Sequence, residues 1–143
     1  MGAEDLALHY AHVILASIWI GYLAVVIAAS FRGKETLLAV NRSAGLLAFG
    51  SLILLAIVGV VMASTKYSAS PSEWFAFGTY MGRIGEKMIT WLILAALGGY
   101  LNHVEIKKVE ETGKVGRFRA IAAFALIASL GAALLGSMLS LGV

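Results

Sequence analysis

Four long apolar runs, parted by short polar breaks, constrain this chain more than any other feature. They extend over about Leu6 to Ser30, Ser43 to Ser64, Gly82 to Val104 and Phe118 to Leu141. Each is long enough to cross a hydrocarbon layer about 30 Å thick, which takes roughly 20 apolar residues in a helix. Inside that layer no water satisfies backbone N–H and C=O groups, so runs of this length fold as helices. The composition agrees: 60% of residues are hydrophobic, 13% are charged and the mean hydropathy is +0.89, far from a water-soluble domain. Four spans take up about two-thirds of the 143 residues, which leaves room for one domain only. The expected fold is therefore all-α, a single domain over 1–143, built as an antiparallel four-helix transmembrane bundle. Cysteine is absent, which excludes disulfides and thiolate metal sites within this chain.

The breaks set the orientation. The first, Phe31 to Arg42, holds Arg32, Lys34 and Arg42; the third holds Lys107, Lys108, Lys114, Arg117 and Arg119. The second contains the only proline, Pro71, in a serine-rich turn setting, and is poorer in basic residues, with Lys66 and the nearby Arg83 and Lys87. The positive-inside rule then puts the first and third breaks in the cytoplasm, and both termini outside. The charges of EIKKVEETGKVGRF, from Glu105 on, are expected to continue the third helix into water until Gly113 and Gly116 permit the reversal before the fourth span. The N-terminal segment carries Glu4 and Asp5 and no base, so Leu6 to Ser30 is expected to remain as a span rather than act as a cleaved signal. A pI near 9.3 describes a basic face for anionic lipid and does not call for nucleic acid. The expected home is the cytoplasmic membrane of a bacterium or archaeon.

Small residues recur at intervals of three or four: Gly21, Ala24 and Ala28; Ala56, Gly59 and Ala63; Ala125, Ser129, Ala133, Gly136 and Ser140. In lipid such stripes let helices approach closely, and they serve bundle packing or a homo-oligomer contact. A second use is the floor of a slot for a flat cofactor.

Ionisable groups at membrane depth are costly and point to function. The first span offers His9 and His12, with Ala16 and Trp19 continuing the same face. The third offers Arg83, Glu86 and Lys87 near one end and His103 near the other. At 1.5 Å per residue, His12, Lys87, Met62 and Met138 fall in one layer, the outer one, while His103 lies about a leaflet away. Imidazole suits iron and copper, and thioether suits copper(I) or an axial haem position. Two cofactors fit this set. A b-type haem would sit against His12 over Ala16 and Trp19, with Lys87 or Arg83 for its propionates, and serve electron transfer or oxidation of a membrane-soluble or porphyrin-like substrate, with a redox partner in or outside the membrane. Copper handling would instead use His9, His12, Met62 and Met138. A structural subunit of a larger membrane complex is the third possibility.

The segment LHYAHVILASIWIG, with His12, Trp19 and Gly21, resembles the first helix of the copper-resistance D (CopD) family and of the related HemJ-type protoporphyrinogen oxidases. EKMITWLILAALGGYLNH is similar to the family segment in which a lysine opens a long apolar helix ending in glycines and an aromatic residue. The resemblance implies a four-helix core, a b-type haem in the HemJ-like branch, His12 on the family histidine and Lys87 on a functionally required lysine. The histidine that HemJ-type enzymes carry within the third helix falls near Gly98 here, and the polar motif at the start of their last helix has no counterpart in GRFRAIAAFALIASLG.

Overall fold

A computed structural model describes residues 2–65 and 71–141, without the side chains of Asp5, Pro71 and 137–141. Helix α1 (Ala3–Ser30) turns through Phe31–Gly33 into α2 (Lys34–Thr65). A short helix α3 (Pro71–Trp74) precedes α4 (Gly82–Tyr100), which continues through a π-helical turn (Leu101–Glu105) into α5 (Ile106–Thr112). Helix α6 (Gly116–Leu141) follows, and there is no strand among the described residues. Four stretches are long and apolar enough to cross a membrane: Leu6–Ser30, Lys34–Thr65, Gly82–Thr112 and Gly116–Gly136. The chain is a multi-pass membrane bundle.

The first break is shorter than its charges suggest. The expected loop from Phe31 to Arg42 contracts to a three-residue turn, because KETLLAVNR continues α2 and buries Leu37 against the core. Glu35 sits in the first turn, where a carboxylate meets the positive end of the helix dipole. Gly33 makes the reversal at φ 107°, a region that side-chain-bearing residues avoid. The third span runs on as helix to Thr112, as its charges lead one to expect, and Gly113 (φ 74°) donates its N–H to Val109 O at 2.8 Å and ends it. Gly116, expected at the reversal, instead begins α6. Pro71 occupies the first position of α3, where its missing N–H costs nothing.

The helices form a square. α1 packs along α2 and α6, α4 packs along α6, and α2 meets α4 more sparsely. Trp19, Leu23, Val26, Leu37, Leu52, Leu101 and Phe118 fill the centre and are buried. Two indole nitrogens are satisfied between helices: Trp19 Nε1 donates to Ser129 Oγ at 3.0 Å, and Trp91 Nε1 donates to Leu52 O at 2.8 Å. Ser129 in turn donates to Ala125 O at 2.7 Å. The perimeter is the reverse of a soluble protein's. Leu46 is 85% exposed and Ile127 69%, as expected of side chains that face lipid. The Gly21, Ala24 and Ala28 stripe is exposed on this perimeter rather than inside the bundle.

At the Gly33 and Gly113 end, charge is handled by pairing. Arg119 reaches back to Ser30, donating from Nε to Oγ at 2.8 Å and from Nη2 to the carbonyl at 3.0 Å, and its guanidinium lies 3.8 Å from the Phe31 ring centroid. Glu105, expected among charges that follow the third helix into water, is only 2% exposed. Its carboxylate pairs with Arg117 Nε at 2.9 Å and, more loosely, with Lys108 Nζ at 3.8 Å.

Candidate functional site

The other end of the bundle holds a cavity of about 480 Å³. Every long helix contributes to it: His9 and His12 from α1, Leu55 to Ala63 from α2, Ile84 to Leu94 from α4, and Ala132 and Gly136 from α6. Phe75, from the segment after α3, closes part of its rim. The size lies in the range of small-molecule and cofactor sites, roughly 300–1,000 Å³.

The cavity walls are drawn largely from α2 and α4, the neighbouring long helices that contact each other most sparsely. Ala56, Gly59 and Ala63 present a shallow wall on α2. On α4 the first turn is fixed by backbone approach. A Cβ at Gly82 would overlap Ala76 O, and one at Gly85 would overlap Trp74 O, so the segment carrying Trp74 and Phe75 lies directly on the helix. Ala63, Ile84, Trp74, Tyr80, Met81 and Met88 form a small cluster beneath it.

Its chemistry is concentrated in one contact. Lys87 Nζ lies 3.0 Å from His12 Nε2. An ammonium has no lone pair, so with Lys87 in that form Nζ donates and Nε2 accepts, which puts the ring hydrogen on Nδ1. Gly136 makes room for the lysine: a Cβ there would sit 2.9 Å from Nζ. Three spans therefore meet at one point, each with the residue that the point requires.

The expected site residues divide cleanly. His9, His12, Met62 and Lys87 line the cavity together. Arg83, Ala16 and Trp19 do not. Arg83 Nη1 donates to Glu86 Oε2 at 2.9 Å, one turn along the same helix. Trp19 lies deeper, bonded to Ser129, and its ring occupies the space beside Gly98, where a Cβ would come within 2.8 Å of Cη2. The Met138 side chain lies outside the described residues. His103 is remote from the cavity, edge to face with Phe49 at 6.3 Å between centroids.

Sequence reasoning missed a second polar cluster. Tyr22 Oη donates to Asn41 Oδ1 at 2.7 Å and lies 3.2 Å from Asn102 Oδ1, while Asn102 Nδ2 donates to Gly98 O at 3.0 Å. Gly45 lets these groups close up, since a Cβ there would stand 2.6 Å from Asn102 Oδ1. A smaller cavity of about 190 Å³, bordered by Asn41, Arg42, Phe49 and His103, adjoins it. The available signal was an amide within an apolar run, at Asn102.

The donor set bears on which cofactor the large cavity could take. Among the described residues no three His, Cys, Asp or Glu side chains converge as a metal cage. A closed copper site would thus depend on thioether as well as imidazole. A tetrapyrrole needs instead an apolar slot with one imidazole in its wall and a cation for its carboxylates, and His12, Lys87 and the apolar walls fit that description. Comparison with known protein families, with curated proteins and with solved structures finds no match to this chain.

Proposed function

We propose that this chain is a small b-type haem protein of a bacterial or archaeal cytoplasmic membrane, acting in electron transfer or in oxidation of a membrane-soluble or porphyrin-like substrate. The observation that carries the reading is the His12 and Lys87 contact in the wall of a large apolar cavity. In this reading the basic residues of the two short turns face the cytoplasm, so the cavity belongs to the outer leaflet.

When bound, the haem supplies one-electron exchange at its iron. His12 would hold the metal through Nε2, the lone pair that otherwise accepts from Lys87, so Lys87 Nζ would leave the ring when the metal binds. Lys87, from the opposite helix, would then turn its N–H donors to a carboxylate. Ala56, Gly59 and Ala63 give a wall low enough for a flat ring. The apolar lining from Leu55 to Leu94 keeps water from the buried part of the slot.

A second reading has its own observation. His9, His12 and Met62 border the same cavity, and imidazole with thioether is a donor set for copper(I). One purification separates the two. Protein isolated in mild detergent is expected to show a Soret band, with resolved α and β bands on reduction. A colourless protein with stoichiometric copper would overturn the haem reading in favour of copper; a protein with neither would overturn both.

A further inference from the structure

The cavity has a mouth as well as a wall. Among the residues that line it, Val60 on α2 is 45% exposed, and Ile89 and Leu92 on α4 are 42% and 60% exposed. All three are apolar, and they stand on the two neighbouring helices that contact each other most sparsely. Leu92 lies about ten residues, roughly 15 Å, along α4 from Gly82, which is half the thickness of a hydrocarbon core. At that depth an opening on the bundle's side faces acyl chains.

Polarity is graded along the same cavity. His9, His12 and Lys87 stand towards the bundle end; Leu55, Trp91, Leu92 and Leu94 stand towards the middle. The grading matches an amphiphile lying parallel to the helices, its charged head at the bundle end and its apolar body at depth. Lys87 sets the sign of the head. Besides the N–H directed at His12 it has others to offer a carboxylate, and no acidic side chain lines the cavity among the described residues.

We infer that the cavity is entered sideways from the bilayer, through the gap between α2 and α4, by a membrane-dissolved amphiphile with an apolar body and a carboxylate head held by Lys87. The inference rests on the same cavity as the haem reading but not on iron. Its ligand class includes porphyrin carboxylates and also molecules that bind no metal.

The test uses the full chain, produced without a haem supply, in phosphatidylcholine vesicles. 9,10-Dibromostearic acid is the probe, and tryptophan emission is the readout, with Trp91→Phe identifying the share from the cavity wall. Dibromostearate is expected to quench Trp91 several-fold more than dibrominated phosphatidylcholine at equal bromine content, and its methyl ester is expected to lose that excess. Gly59→Phe fills the cavity from a position where nothing lies within 4 Å of an added Cβ, and it too is expected to abolish the excess. Leu92→Phe narrows the mouth with an apolar group suited to that depth and is expected to slow the onset of quenching, with folding checked by circular dichroism; an unchanged onset would overturn the lateral route. Equal quenching by acid and phospholipid, or an excess that survives Gly59→Phe, would overturn the inference. A missing Soret band in haem-supplied protein sinks the haem reading alone and leaves this result standing.

Discussion

Lys87 Nζ and His12 Nε2, seventy-five positions apart in the chain, meet at 3.0 Å in the wall of an apolar cavity. The hydrogen bond between them orients both side chains. Replacing Lys87 with Met keeps the volume and removes the donors. Folding is expected to survive, since the lysine adjoins a cavity rather than a packed core, while cofactor affinity or turnover falls. Haem content and thermal unfolding in detergent read the two effects separately; unchanged behaviour in both would make Lys87 a passive surface lysine.

For the histidines, the expectation is asymmetric. His12→Ala should lose most bound cofactor, and His103→Ala should keep it, because His103 packs on Phe49 beside a different cavity. Absorbance per mole of purified protein measures this. Equal losses would mean that the cofactor is not held by the α1 and α4 pair.

Gly136 offers a gentler probe of the same contact. A methyl group there would approach Lys87 Nζ to 2.9 Å, and the end of a flexible side chain moves away cheaply. Gly136→Ala is therefore expected to retain stability yet detach Lys87 from His12. In protein labelled with ¹⁵N-histidine, the His12 Nε2 resonance should move in the same direction as in Lys87→Met. A resonance unchanged from the parent would show that the lysine accommodates the methyl without leaving.

Two other glycines separate packing from open space. An alanine at Gly98 puts its Cβ 2.8 Å from Trp19 and 3.3 Å from Phe49, both rings in or beside the buried core. Overpacking of this kind costs about 1–3 kcal/mol, more than the roughly 0.5–1 kcal/mol that alanine gains over glycine in a helix. At Gly59 nothing lies within 4 Å, so the helix gain stands alone. Gly98→Ala should lower the unfolding temperature and Gly59→Ala should hold or raise it. The reverse order would contradict the packing of Trp19 against α4.

What the sequence made legible was whatever depends on periodicity and depth. The four spans follow from apolar length alone, and the common layer of His12, Met62 and Lys87 follows from counting residues along helices that alternate in direction. The small-residue stripes were readable as a motif but not as a location. Ala56, Gly59 and Ala63 border the cavity, whereas Gly21, Ala24 and Ala28 face outward, and the side of a helix that turns inward is decided by its neighbours. The first loop was read too long because Lys34 and Arg42 sit on a helix that begins before its apolar run, where long basic side chains reach the interface from a regular backbone, whereas the continuation of the third helix through Lys107 and Lys108 was legible from its charges. The Tyr22, Asn41 and Asn102 cluster draws on three helices, and no spacing within one helix reveals it.

Glu105 is the sharpest case of charge hidden from sequence reasoning, and it yields the last prediction. It stands in a run of charged residues, yet the π-helical turn at Leu101–Glu105 places its side chain in the interior, 2% exposed. There Arg117 from the start of α6 reaches it at 2.9 Å, so the pair fastens the third span to the fourth at the Gly113 turn. Because the arginine is itself 67% exposed, water screens part of the attraction, and the contact is worth less than a fully buried pair. Arg117→Ala should still destabilise by about 1–3 kcal/mol, since the carboxylate stays where it is with only Lys108 at 3.8 Å for company. Glu105→Gln in the Arg117→Ala background should recover part of that loss, because a neutral amide tolerates the site better than an unpaired carboxylate. Unfolding in mixed detergent micelles over the four members of this double-mutant cycle measures the coupling directly. Additive effects would mean that Arg117 acts on its own surroundings and that the turn is held by Gly113 and by the packing of Val109 and Phe118 alone.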